Sequence, residues 1–167
     1  MPRDPAFGMF HVKRIRALLI NPYIYDVSAY SFWSAPLGLL YVGSVLRENG
    51  IDIELIDCLA VDERKRKEDG RAPFIQTKVA KPEVAATVKK RFKRYGIAPA
   101  LLRSKLRTLE PPDLILITSV MTYWYLGTLE AVVLAREAFP NAKTLWAVFT
   151  HLSAMSTPRG TSGQTSL

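Results

Sequence analysis

A chain of 167 residues with 49% hydrophobic content is long enough for one domain with a real core, which excludes disorder throughout. Its single cysteine, Cys58, excludes an internal disulfide framework and any cysteine-only zinc or iron–sulfur site built by this chain alone. The formal charge of +8 suggests a polyanionic partner until it is placed along the chain: residues 60–110 hold 15 of the 23 Lys and Arg against 6 of the 15 Asp and Glu, so the remainder is close to neutral.

Residues 1–13 show no periodicity and read as a loose lead-in in which His11 is a solvated side chain. They are too polar and interrupted for a signal peptide, and no apolar run reaches bilayer-spanning length, so a cytoplasmic protein with no membrane partner is expected. Residues 17–20 form a continuous apolar run that stops at Asn21-Pro22, where proline removes a backbone donor and forces Asn21 extended. The following loop, residues 21–35, is long for a strand-to-helix connection and carries Tyr23, Tyr25, Tyr30, Phe32 and Trp33. So much aromatic surface must pack, either back over its own sheet or against a large flat ligand or partner domain. Pro36 opens a helix with Leu39, Val42, Gly43 and Leu46 on its apolar face, and Gly50 supplies the left-handed stop. Ile51, Ile53, Leu55 and Ile56 then form a second strand, with Cys58 a buried small residue at its end. Strand, helix, strand implies a parallel sheet whose ligands bind beyond the carboxyl ends of the strands.

Between residues 59 and 112 the pattern leaves the sheet. Residues 62–71 read as a solvated charged loop, and residues 99–109 place Leu101, Leu102, Leu106 and Leu109 at helical spacing with basic residues between. The run Lys89, Lys90, Arg91, Phe92, Lys93, Arg94, Tyr95 alternates positive charge with aromatics as a phosphate-and-base surface does. Basic runs on insertions are more often solvated or docking faces, so nucleic-acid binding through residues 89–95 is the second reading rather than the first. Residues 114–117 resume the sheet and end at Thr118-Ser119. A helix with Leu126, Leu129, Val132 and Val133 on one side follows, and residues 142–149 start a fourth strand. From residue 150 the composition turns to Ser and Thr, so residues 150–167 are expected to form a disordered tail.

The fold class read from this pattern is α/β: a Rossmann-like, flavodoxin-like parallel sheet of about four strands with helices on both faces, incomplete at its carboxyl-terminal edge. An open edge of this kind predicts self-association. There is no Gly-x-Gly-x-x-Gly after the first strand and no Gly-Lys-Ser/Thr phosphate loop, which disfavours dinucleotide and nucleoside triphosphate chemistry. His11 and His151 both fall outside the sheet's strand tips, so neither makes a general base with a nearby nucleophile, and Asp26 and Asp57 read as capping or loop residues. What remains is a polar and aromatic edge at the strand tips: Asn21 and Pro22 after the first strand, Ser119, Val120, Met121, Thr122, Tyr123 and Trp124 after the third.

The segments LLINPYIYD, FWSAPLGLLYVGSVLRENGIDIELIDC and PDLILITSVMTYWYLGTLEAVVLAREAFPNA together resemble the amino-terminal cobalamin-binding-type domain of the B12-binding radical SAM proteins. The resemblance covers about residues 14–145 and implies that residues 14–149 form one such domain with the basic insertion 60–110 inside it. It further implies that Asn21, Pro22, Ser119, Val120, Met121 and Thr122 face a corrinoid. The chain departs from that pattern in three ways. No Asp-x-His-x-x-Gly follows the first strand, so cobalamin would lack a histidine lower ligand. Trp146-Ala147 stands where a Gly-Gly pair is expected, and the C-x3-C-x2-C motif is absent, so the iron–sulfur cluster and S-adenosylmethionine belong only to a full-length relative. The expected function is therefore a cofactor-binding module without catalysis of its own. A frame shift near Leu145 accounts for the missing glycines, because TGG GCN GTN TTY ACN read from its third base permits Gly-Gly-Ile-Tyr-Ala. On that reading Trp146 onward packs poorly.

Overall fold

The computed structural model describes residues 14–31 and 35–148. Phe32, Trp33, His11, His151 and the expected tail at 150–167 lie outside the described residues. The principal sheet has four strands in the order β3-β1-β6-β7, formed by Arg16–Asn21 (β1), Asp52–Asp57 (β3), Leu114–Ser119 (β6) and Lys143–Val148 (β7). All three pairings are parallel, with Leu19 beside Leu55 and Leu116, and Leu116 beside Leu145. The chain therefore winds outward from β1 in both directions, which is the order of flavodoxin-like sheets and puts the switch point between β1 and β6. The Rossmann-like α/β fold is as expected.

Alternation along the strands supplies two apolar faces. Ala17 and Leu19 of β1 face the helix Leu37–Glu48 (α1), which contributes the buried Leu39 and Gly43. Leu18 and Ile20, with Ile115 and Ile117 of β6, face the helices Pro99–Thr108 (α2) and Tyr125–Ala138 (α3), from which come Leu102, Leu106, Ala131, Val132, Leu134 and Ala135. Proline in the first turn of α2 is preorganised for a helix, and its Leu102 and Leu106, four apart, enter the same core. Burying each such leucine is worth about 1.5–3 kcal/mol.

Four helix side chains placed on apolar faces from spacing alone are exposed: Val42 on α1, Leu101 on α2, and Leu129 and Val133 on α3. In α3 the buried stripe is set by Gly127, Thr128, Ala131 and Ala135, small residues that let the helix lie close to the sheet, and this turns Leu129 and Val133 outward. Gly127 shows how close that approach is, since a β-carbon there would run into the Tyr23 carbonyl oxygen.

The insertion contains structure that the sequence pattern does not announce. Ile24–Asp26 (β2), Gln76–Lys78 (β4) and Lys93–Tyr95 (β5) form a second, antiparallel sheet in the order β2-β5-β4. Because β2 leaves β1 after only two residues, this small sheet is tethered at the carboxyl ends of the principal strands. It is pinned there by the Ile97 amide donating to the Cys58 carbonyl at 2.8 Å and the Cys58 amide donating to Asn21 at 2.8 Å. Gly96, at φ +108°, is the turn that makes this possible, for its α-carbon lies against the Cys58 carbonyl.

Candidate functional site

Asn21 and Pro22 at the end of β1, and Ser119 and Val120 at the end of β6, line one cavity together with Tyr23, Leu59, Trp124 and Thr128. The strand order that creates the switch point thus brings four of the six expected residues together. Met121 and Thr122 stand on the exposed rim just beyond.

The polar groups of this cavity are largely engaged with one another. The Asn21 side-chain amide donates to Asp57 at 2.9 Å, and the same carboxylate oxygen accepts the Leu59 amide at 2.9 Å. Asp57 is a loop-capping residue, as its position suggested. Ser119 Oγ donates to the Met121 carbonyl at 2.7 Å and so shapes its own turn. Asp26 caps Val27 through one carboxylate oxygen and accepts the Trp124 indole N–H at 2.8 Å through the other, which draws the indole over the strand tips. Tyr25 donates to Glu130 at 2.6 Å, fastening β2 to α3. Burial, and then this contact with Glu130, push the Tyr25 phenol up to about 12, while burial and the Asp57 charge push the Cys58 thiol up to about 12. Thr128 Oγ1 is buried at the cavity wall without a hydrogen-bond partner.

Of the described loop aromatics, Tyr23 and Tyr25 fold back over their own sheet while Tyr30 stays exposed. Tyr23 is fully buried, Tyr25 packs edge-on against it, and Phe92 stacks on Tyr25 with ring centroids 6.3 Å apart. With Tyr23 and Trp124 in place the switch-point cavity encloses only about 10 Å³. That is room for about one water. The cavity does not admit a corrin ring or a nucleotide tail, and of the six expected residues only Met121 and Thr122 on the rim are exposed. No cluster of three or more His, Cys, Asp or Glu able to hold a metal occurs among the described residues. Trp124, expected at the strand-tip edge, does line the cavity, whereas Thr128, in the first turn of α3, is a lining residue that a search of strand tips alone overlooks.

A second concavity lies on the small sheet. It encloses about 500 Å³ and is lined by Lys78, Lys89, Lys90, Arg91 and Lys93 with Val27 and Gln76. No carboxylate lines it, and none of its five cations is in a salt bridge among the described residues. Lys93 Nζ donates to Gln76 at 2.6 Å. A neighbouring concavity of about 490 Å³ shares Val27, Gln76 and Lys93 and continues past Tyr30 to Lys65, Lys67 and Arg71.

No family model, curated protein or solved structure matches this chain. No helix among the described residues is long and apolar enough to cross a membrane.

Proposed function

We propose that this chain is a cofactor-binding module of the cobalamin type, without catalysis of its own, which presents its strand-tip edge to a separate catalytic domain. Any iron–sulfur cluster and S-adenosylmethionine would be held by that domain. One observation supports this reading above the others: the switch point of the sheet falls between Asn21 and Ser119, where ligands of this fold class sit. Cobalamin would supply the organometallic chemistry. The residues of this chain would orient it, with Met121 and Thr122 meeting it from the rim and Trp124 forming the floor. A cytoplasmic location accords with the reading, since the single cysteine, Cys58, is a free, buried thiol outside any disulfide.

The closed cavity makes the proposal easy to test. The full chain, incubated with hydroxocobalamin and desalted, should retain a corrinoid absorbance in the visible range; a colourless protein overturns the reading. Trp124→Ala removes the floor and should change both the amount retained and the spectrum. Retention indifferent to this substitution places the corrinoid away from the switch point and overturns the assignment of the site.

A further inference from the structure

The switch-point reading leaves the basic concavity of the small sheet unused. Five cations converge on one hollow with no carboxylate among them, an arrangement in which each charge raises the cost of the others until an anion neutralises them. Lys89, Lys90 and Arg91 are exposed and follow one another along the chain, while Lys78 and Lys93 face each other across the β4–β5 pair. The hollow is too wide for a single phosphate to satisfy all five. It opens instead into the neighbouring concavity through Val27, Gln76 and Lys93, and the combined track passes the Tyr30 ring, 65% exposed, on its way to Lys67.

The aromatics of the run 89–95 do not serve this surface. Phe92 stacks inward on Tyr25, and Tyr95 is buried in the small cluster with Ile24, Phe74 and Trp124. Their role is to hold β5 against β2, with Lys93 between them lining the concavity. Recognition by this surface is therefore recognition of backbone phosphates, with Tyr30 the one lining aromatic well placed to stack a base.

We propose that the continuous concavity on the β2-β5-β4 sheet binds single-stranded nucleic acid, with successive phosphates on Lys78, Lys89, Lys90, Arg91 and Lys93 and a base against Tyr30. A flexible single strand can follow a curved track that a rigid duplex only touches in passing. Counterion release then sets the salt dependence. Five phosphates neutralised on a single strand give a slope of log affinity against log salt of about −3 to −4.

The test is fluorescence anisotropy of a labelled oligouridylate with the full chain across a salt series. Binding with that slope is expected, and oligothymidylate should bind alike because phosphates carry the recognition. Replacing Lys89, Lys90 and Arg91 together by Ala should make the slope shallower by about 2. Replacing Arg64, Lys105 and Arg107, which line neither concavity, removes the same charge and should leave the slope near its original value. Tyr30→Ala should weaken binding by about tenfold at unchanged slope. Absence of binding at low salt, equal losses from the two triple variants, or tighter binding to a matched duplex or to phosphatidylserine vesicles overturns the proposal. None of these results bears on cobalamin retention.

Discussion

Cys58 sits at the junction of the principal sheet, the insertion and Asn21, and its buried thiol makes the junction sensitive to alkali. Its pKa is displaced upward from 9.0 to about 12 in the folded chain, chiefly by burial and then by Asp57, and the Tyr25 phenol moves upward from 10.0 to about 12. Folding thus favours the protonated form of both groups. Their contribution to stability is complete below pH 9 and is lost as pH rises toward 12. Urea midpoints measured from pH 8 to 11 should fall, and Cys58→Ala should flatten the first part of that fall; an unchanged profile in the variant would show that the thiol is not responsible. The same burial should make Cys58 unreactive toward Ellman's reagent at neutral pH until urea is added. The strand-end position of Cys58, ahead of a charged excursion, was sufficient to read it as buried. The faces of Val42, Leu129 and Val133 were not readable in this way. In α3 apolar residues occur nearly all round the helix, so the deciding residues are the small ones, Gly127, Ala131 and Ala135, and small residues carry little weight in a hydrophobic period.

The elements of the principal sheet follow from long apolar runs and proline or glycine stops, which is why β1, β3, β6 and the three helices are recognisable before folding. The small sheet is different. Its strands are three residues each, and Gln76–Lys78 and Lys93–Tyr95 carry almost no alternation, so only their backbone pairing and the anchors at Phe74, Tyr95 and Trp124 define them. Two glycines carry the consequences of docking that sheet and α3 onto the strand tips. Gly127→Ala would drive a methyl group into the Tyr23 carbonyl, and Gly96→Ala would do the same at Cys58 while also requiring a positive φ. Each should lower stability by about 2–4 kcal/mol, as overpacking and backbone strain combine. Gly50→Ala, at φ +79° with nothing within 4 Å, should cost only about 1–2 kcal/mol. Denaturant unfolding of the three variants checks the ranking, and a Gly127→Ala protein as stable as Gly50→Ala would show that α3 can move away from the β1–β2 turn.

At the scale of the whole molecule, the strand-tip edge of an otherwise recognisable fold is occupied by its own insertion. That the six expected residues lie at the strand tips was legible because a parallel sheet fixes which residues stand at the carboxyl ends of its strands. The closure of that edge was not, because it depends on Tyr23 and Trp124 being drawn inward by Tyr25–Glu130 and Asp26–Trp124 contacts between residues about a hundred positions apart. The far side of the sheet is governed by a simpler imbalance. The register Leu116–Leu145 and Ile117–Trp146 points Leu145 toward the α1 face and Trp146 toward the α3 face, and both remain more than half exposed. Among the described residues β7 pairs only with β6, and no described strand lies along its outer backbone edge. Along this edge Lys143 is the only charge, too little to discourage pairing with another strand. The outer sides of α1 and α3 add Tyr41, Val45, Leu129 and Val133 to the exposed apolar surface. Concentration-dependent association of the full chain is therefore expected, strengthened by salt that screens its net positive charge and weakened by Leu145→Lys with Trp146→Lys. Light scattering across a concentration series measures it. A monodisperse monomer at high concentration and high salt would mean that β7 is protected, and an association unchanged by the two lysines would move the contact from the strand edge to the helices.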